Sequence, residues 1–348
     1  MHVVVVGASG NAGTALLRRF ERDETITSVT AVARRVPAGR PPAPYSVARW
    51  VACDIGTPGP DEPVVADLAR AMAGADAVVH LAWAIQPSHD RRRLARVNVD
   101  GTRRVIAAVA RAGVPHLVAA SSVGAYSPAP DDVPRAEGWP TDGVHSSSYS
   151  VDKAACERLL DGAQATFPDL VVARLRPALI FQRAAGSEVA RLFLGPLVPR
   201  RILDGHLPVL PWPDGLRLQA VHADDAADAF REVVVRRARG AFNVAAPQVL
   251  RVDDVAALVS GGRSRVVSPR ALRAAVTLGW RAHAVAAGPG WLDMAMAAPL
   301  LDTTRAEREL DLRPRWTAAE ALRDLLGGLG EQAGTASPPL KPGRTGRP

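Results

Sequence analysis

HVVVVGASGNAGTALLRRF, residues 2–20, holds the transition that decides the fold. Residues 2–6 are a continuous β-branched run, the pattern of a parallel strand buried on both faces. Gly7, Gly10 and Gly13 follow at GxxGxxG spacing, and an apolar-periodic helix then runs to about Arg22. Glycines at a strand-to-helix turn allow a tight bend, and their missing side chains let the backbone approach a pyrophosphate. The helix N-terminus then meets the anion with unpaired N–H groups. Strand before and helix after is the context that separates a dinucleotide cradle from an ordinary Gly-rich turn. The cradle is Gly7, Ser9, Gly10, Asn11, Ala12 and Gly13.

The same rhythm continues outward. Residues 27–33 and 47–52 read as the second and third strands, 62–73 as a helix and 77–82 as a fourth strand. A long helix at 90–112, a strand at 116–121, a Pro/Asp-rich loop at 127–147, a helix at 149–166 and a strand at 170–175 follow. Alternating βαβ units predict an α/β Rossmann-type doubly wound parallel sheet with helices on both faces. The rhythm breaks after Pro177. Residues 183–218, rich in Gly and Pro, suit a segment that covers a substrate, and 219–245 regain order as strand, helix and strand. Residues 252–328 read as mostly helical with Pro and Gly breaks. The reading divides the chain into a NAD(P)-binding domain at 1–178, a substrate-binding region at 179–330 and a disordered tail at 331–348. Within the second part, 219–245 is expected to pack back on the sheet. No internal repeat is seen.

Composition narrows the function classes. A chain of 348 residues with 47% hydrophobic content supports a large domain with a smaller appendage. No apolar run approaches the 18 or so residues of a membrane span, and the N-terminus reads as a strand rather than a signal peptide. Cys53 and Cys156 are too few for a disulfide framework, which points to a reducing cytoplasm. Of the net charge of +8, Lys341, Arg344 and Arg347 contribute three, and the remaining arginines are scattered over helix faces. Aromatics make up only 5% and do not interleave with them, which argues against nucleic-acid binding. His80, His89 and His222 lack ligand spacing, so no metal is expected. His80 reads as a packed histidine, and the Asp224–Asp225 pair after His222 as a helix start.

The 43 lysines and arginines include two lysines, Lys153 and Lys341, and the chain has three tyrosines. A lysine kept among so many arginines suits a task that needs a compact ammonium rather than a planar fork. Lys153 follows Tyr149 by four residues, which on a helix sets both on one face. A neighbouring ammonium favours the phenolate and would lower the phenol from about 10, giving a proton donor and acceptor for use near neutral pH. The second strand ends Val32-Ala33-Arg34-Arg35, without the acid that binds a ribose 2′-hydroxyl in NAD sites. Arg34 and Arg35 suit a 2′-phosphate instead, so NADP(H) is favoured over NAD(H).

Taken in order, the motifs resemble the extended short-chain dehydrogenase/reductase family, also called NAD-dependent epimerase/dehydratases. They are GASGNAG at 7–13, CDI at 53–55, DAVVHLA at 76–82, NVDGT at 98–102, SSVGAY at 121–126, YSVDK at 149–153, RLRP at 174–177 and VHADDAADAF at 221–230. The resemblance covers roughly 1–328. It implies that Tyr149 is the catalytic acid/base, that Lys153 holds the nicotinamide ribose and tunes Tyr149, and that Ser122 bonds the substrate oxygen, with Ser121 as the adjacent alternative. It places Asp54 and Ile55 at the adenine, and Leu81, Ala82 and Trp83 along the dinucleotide. Pro177 and Ile180 would pass the nicotinamide carboxamide. Asn98 would lie near the cofactor or serve the local backbone.

Two departures turn the expected substrate away from nucleotide sugars. Arg176-Pro177-Ala178 lacks the Asn that many nucleotide-sugar members carry after the sixth strand, and Ala125-Tyr126-Ser127 replaces the usual VYG. The expected function is hydride transfer between a nicotinamide and a small carbonyl/alcohol substrate. The alternatives are a nucleotide-sugar epimerase/dehydratase with retained NAD, and a non-catalytic NADP(H)-binding sensor. The helices at 90–112 and 149–166 correspond to those that pair in many relatives, so a homodimer is expected. Trp83, Trp139, Trp212, Trp280 and Trp291 are candidates for an apolar pocket, with core packing as the default for each.

Overall fold

The computed structural model describes residues 1–86, 88–194 and 207–343. Residues 195–206, within the segment 183–218 read above as a substrate cover, and residues 344–348 lie outside them. The first half alternates as expected: β1 (His2–Val6), α1 (Asn11–Phe20), β2 (Ser28–Ala33), β3 (Ala48–Ala52), α2 (Asp61–Met72) and β4 (Ala77–His80). The long helix predicted at 90–112 is α3 (Arg91–Ala95), a wider π-type turn at Arg96–Asp100, and α4 (Gly101–Ala112). β5 (His116–Ala120), α5 (Ser148–Thr166) and β6 (Val171–Pro177) complete the unit.

Six strands lie parallel in the order β3-β2-β1-β4-β5-β6, and Gly240–Val244 adds a seventh, also parallel, beside β6. The valine run explains itself here. Val3 and Val5 face one side of the sheet with Leu16, Leu17, Phe20 and Phe230. Val4 and Val6 face the other with Leu68, Met72, Val105 and Val109. All four valines are buried, as a strand covered by helices on both faces requires. The helix Ala223–Val235 lies against α1, with Arg18–Asp224 and Arg19–Asp228 ion pairs across the seam. Of the segment 219–245, the helix Ala223–Val235 and the strand Gly240–Val244 lie with the large sheet, whereas the strand Leu218–His222 belongs to a second sheet.

The smaller part is built on Leu179–Phe181, Leu218–His222 and Val249–Leu250, which form a three-stranded sheet. Its core gathers Trp212, Leu250, Val255 and Ala318. The helix Pro289–Ala297 stands beside α5, and Pro269–Arg281 packs on it in turn.

Residues 331–343 differ from the expected disordered tail. Leu340 and Ser337 are fully buried. The Ser337 hydroxyl donates to Ser9 O at 2.7 Å, and the Tyr45 hydroxyl donates to Thr335 Oγ1 at 2.5 Å. The segment is held by single apolar anchors and backbone bonds, which leave no periodicity to read. No helix among the described residues is long and apolar enough to cross a membrane.

Candidate active site

The sheet order reverses between β1 and β4, and in open α/β sheets ligands bind at the carboxyl ends of the strands at such a point. Gly7 ends β1 there with φ +94°, a left-handed conformation that suits glycine. A Cβ on Gly7 would meet Ala82 N at 2.4 Å, and one on Gly13 would meet Ala8 O and Gly7 O at 2.6 Å. Both glycines are thus fixed by close backbone approach. Gly10 begins α1 without a side-chain cap, so the helix offers its first N–H groups and positive end to an anion. These residues fit a dinucleotide.

A cavity of about 440 Å³ opens over this turn. Of the residues expected at the cofactor, Gly7, Ser9, Gly10, Arg34, Arg35, Asp54, Ile55, Leu81, Ala82 and Trp83 line it. Asn11, Ala12, Gly13, Pro177, Ile180, Asn98 and Lys153 do not. Asn11 spends its amide on Ile180 O at 3.2 Å, which ties the cradle helix to the smaller sheet. Asn98 serves the backbone: its Oδ1 accepts from Ala84 N at 2.8 Å, and its Nδ2 donates to Ala84 O and Asp152 Oδ2.

Sequence reasoning missed Glu188, Arg191, Pro338 and Pro339, which also line the cavity. They come from the Gly-rich segment after β6 and from the supposed tail, where no local pattern marks them. Burial pushes the Glu188 carboxyl up to about 7, with Arg191 and Arg35 acting against it.

Tyr149 and Lys153 sit in the first turns of α5, started by Ser147, whose hydroxyl accepts from Ser150 N. Ser122 follows β5. Its Oγ accepts from Gly124 N at 3.0 Å and shares a hydrogen bond with Tyr149. The structure thus brings Ser122, Tyr149 and Lys153 together. Ser121 turns away to donate to Glu157 at 2.5 Å. Glu157 is buried and also holds Arg176 through two bonds and Arg174 through one. Burial alone would raise its carboxyl, but the Arg176 bond and charge, with Ser121 and Arg174, bring it down to about 2. This anchored carboxylate fixes the turn that carries Ser122.

The expectation that Lys153 lowers the Tyr149 phenol is corrected by the geometry. Burial pushes the Tyr149 hydroxyl up to about 12, against the pull of the Ser122 bond. The Lys153 ammonium lies 5.8 Å from the Tyr149 ring centre. It donates to Ala120 O at 2.8 Å and packs 3.5 Å from the centre of the Trp83 ring. Burial brings Lys153 down to about 8.

A second cavity, of about 470 Å³, touches Tyr149, with Trp280, Trp291, His89, Arg91 and Ser148 among its walls. Arg91 is paired with Asp152. Trp280 and Trp291 thus join a pocket, whereas Trp212 belongs to the core of the smaller part and Trp139 lies under Arg135. His80 is packed: burial, then the Lys153 charge, hold it down to about 3, and its Nε2 meets Thr102 Oγ1 at 3.0 Å. His222 caps the helix Ala223–Val235, contacts Asp324 and stacks on Trp316.

The model of the NAD dependent epimerase/dehydratase family matches residues 3–245. The chain belongs to this family. Its members are nicotinamide-dependent oxidoreductases and epimerases of the extended short-chain dehydrogenase/reductase type. The chain is 29% identical over 328 residues to the uncharacterized protein Rv2047c of Mycobacterium tuberculosis, covering 93% of this chain but only 29% of that relative's length. It is 28% identical over 333 residues to the uncharacterized protein Rv0501 of the same organism, covering 94% of this chain and 84% of the other. Among solved structures, DesIV of Streptomyces venezuelae, a dTDP-glucose 4,6-dehydratase with NAD and TYD bound, superposes with a TM-score of 0.69. It is 22% identical, over 94% of this chain and 96% of that one. The UDP-glucose 4-epimerase of Thermus thermophilus in complex with NAD gives 0.68 at 19% identity, over 94% and 99%. At these identities the structural likeness shows the shared fold.

Proposed function

We propose that this protein is an NAD(P)-dependent oxidoreductase acting on a small carbonyl/alcohol pair, with NADP(H) as the favoured cofactor. The observation that carries the reading is the meeting of Ser122, Tyr149 and Lys153 beside a glycine cradle at the sheet's switch point. A bound nicotinamide supplies or takes up hydride. The cradle glycines and the α1 N-terminus would hold the pyrophosphate, and Asp54 and Ile55 the adenine end. Arg34 and Arg35 line the cavity at the end of β2, and the strand end itself carries no acid, the nearby Glu188 coming from a later segment. That arrangement supports the 2′-phosphate over the bare ribose.

The remaining chemistry belongs to the chain. A phenol held up to about 12 is protonated at neutral pH, so Tyr149 is ready to donate its proton to a carbonyl oxygen as reduction proceeds. The Ser122 hydroxyl fixes the phenol and offers a second contact to the substrate oxygen. In the oxidative direction the acceptor of the alcohol proton is the Tyr149 phenolate, the form left once the phenol has given its proton up. Trp280 and Trp291 beside Tyr149, together with an Arg91 already paired to Asp152, favour a compact and partly apolar substrate.

The family's name supports a second reading, an epimerase/dehydratase that retains its NAD. A purified protein whose cofactor does not exchange and which needs no external reductant would favour it. Free Cys53 and Cys156 agree with a reducing cytoplasm, and the faces of 91–112 and 148–166 are the proposed homodimer contact. Tyr149→Phe is expected to lower turnover by roughly 10²–10⁴ while leaving the NADPH dissociation constant within about twofold. Turnover at the wild-type rate in a screen of carbonyl substrates would remove Tyr149 from the acid/base role.

A further inference from the structure

Trp83 stands between the two cavities. It leaves the carboxyl end of β4 and packs edge-on against the Tyr149 ring, with 5.6 Å between centres. The cavity over the cradle touches Trp83 and not Tyr149; the other touches Tyr149 and not Trp83. Among the described residues the two share Ala84, Ile85 and Gln86. The two rings therefore form a partition where a nicotinamide and a substrate would have to meet, and reacting atoms need to approach to about 3–3.5 Å.

Lys153 lies under this partition. It is 3% exposed and lines neither cavity. An ammonium carries three N–H donors. One is used on Ala120 O, and the Trp83 ring covers the ammonium at 3.5 Å. The indole Nε1 is itself buried and has no hydrogen-bond partner among the described residues. The ring is thus held by its contact with the cation and its edge contact with Tyr149, not by a bond of its own. An interaction of this kind is replaceable, because hydroxyl groups satisfy an ammonium at least as well as a ring face does.

We propose that Trp83 is a gate over Lys153, closed in the arrangement described above and displaced when the cofactor's ribose hydroxyls take the ammonium, so that the two cavities join. The inference rests on the reading of Lys153 as the ribose contact. It makes the closed ring a competitor for the site, and a competent state that is only partly populated weakens apparent affinity in proportion.

The test uses the scarcity of lysines. Trinitrobenzenesulfonate modifies amines, and peptide mass spectrometry follows Lys153 separately from Lys341 and the N-terminus. Trp83→Ala is expected to label at Lys153 about tenfold faster than wild type and to bind NADPH about tenfold more tightly, the order of a desolvated cation–π contact. Saturating NADPH is expected to protect Lys153 in both proteins. Trp83→Phe, which keeps a smaller ring, should fall between them, and it carries the test if the alanine variant does not fold. Unchanged labelling in a folded variant would overturn the gate. Faster labelling with weaker NADPH binding would also overturn it, making Trp83 a fixed wall of the cofactor site. Bound NADPH that leaves Lys153 fully reactive in Trp83→Ala would instead remove Lys153 from the cofactor, and the gate with it.

Discussion

Lys153 shows how one residue's surroundings set its use. Burial holds its ammonium down to about 8, with the nearby Cys156, Glu157 and Asp152 acting against that shift and neutral His80 on β4 close by. A lysine whose folded value lies below its unfolded value of about 10.4 is charged in the folded protein below about pH 8. It loses that charge as pH rises through the same value. Two effects of opposite sign follow. The Lys153 contribution to stability improves between about pH 8 and 10, because the buried charge is relieved. On the reading of Lys153 as the ribose contact, the affinity for NADPH is expected to fall over the first part of that range, because the ribose hydroxyls would lose their cation. Fluorescence titrations from pH 6 to 9.5 are expected to show affinity declining above about pH 8. Lys153→Arg should bind more weakly throughout, since a planar fork fits the site poorly, but without the decline, since Arg stays charged. A decline that persists in Lys153→Arg would assign it to another group.

At the scale of elements, the strands and helices of the sheet were legible because each carries its own period. The valine run, the GxxGxxG turn and the YxxxK spacing are local patterns, and the structure places β1, α1 and α5 within a residue or two of the reading. The elements that close the site were not legible. Pro338 and Pro339 line the cavity over the glycine turn, and Ser337 bonds to Ser9 O in that turn itself. Thr335 joins Tyr45, whose hydroxyl meets Thr14 on α1 at 3.0 Å. Composition marks such a segment as unstructured because its order depends on partners 290 and 328 residues away in the chain. A chain ending at Glu331 is therefore expected to bind NADPH roughly tenfold more weakly, about 1.4 kcal/mol. It should also melt earlier, since burial of Leu340 alone contributes about 2 kcal/mol. An earlier melt with unchanged NADPH affinity would confine the segment to a packing role.

For the whole molecule, the site draws on parts that the chain order keeps far apart. The cradle and the Ser122–Tyr149–Lys153 set come from the parallel sheet. Glu188, Arg191 and the prolines come from segments outside it, and Trp280 and Trp291 from the helices Pro269–Arg281 and Pro289–Ala297. Sequence patterns located the first group, offered Trp280 and Trp291 as pocket candidates without placing them, and missed Glu188, Arg191 and the prolines, because which loop covers a sheet end is fixed by long-range packing rather than by local spacing. A ligand that touches both groups should stabilise them together. At a hundred times its dissociation constant, NADPH adds about 2.7 kcal/mol to the stability of the state that binds it. Unfolding entropy of about 2.1 cal/mol/K per residue over 348 residues converts this to an upward shift of about 4 °C. The expected result by scanning calorimetry is one transition that moves by this amount. Two transitions, of which NADPH moves only one, would mean that the sheet folds and binds without the covering segments, and that the walls contributed by Glu188, Arg191, Pro338 and Pro339 add nothing to cofactor binding.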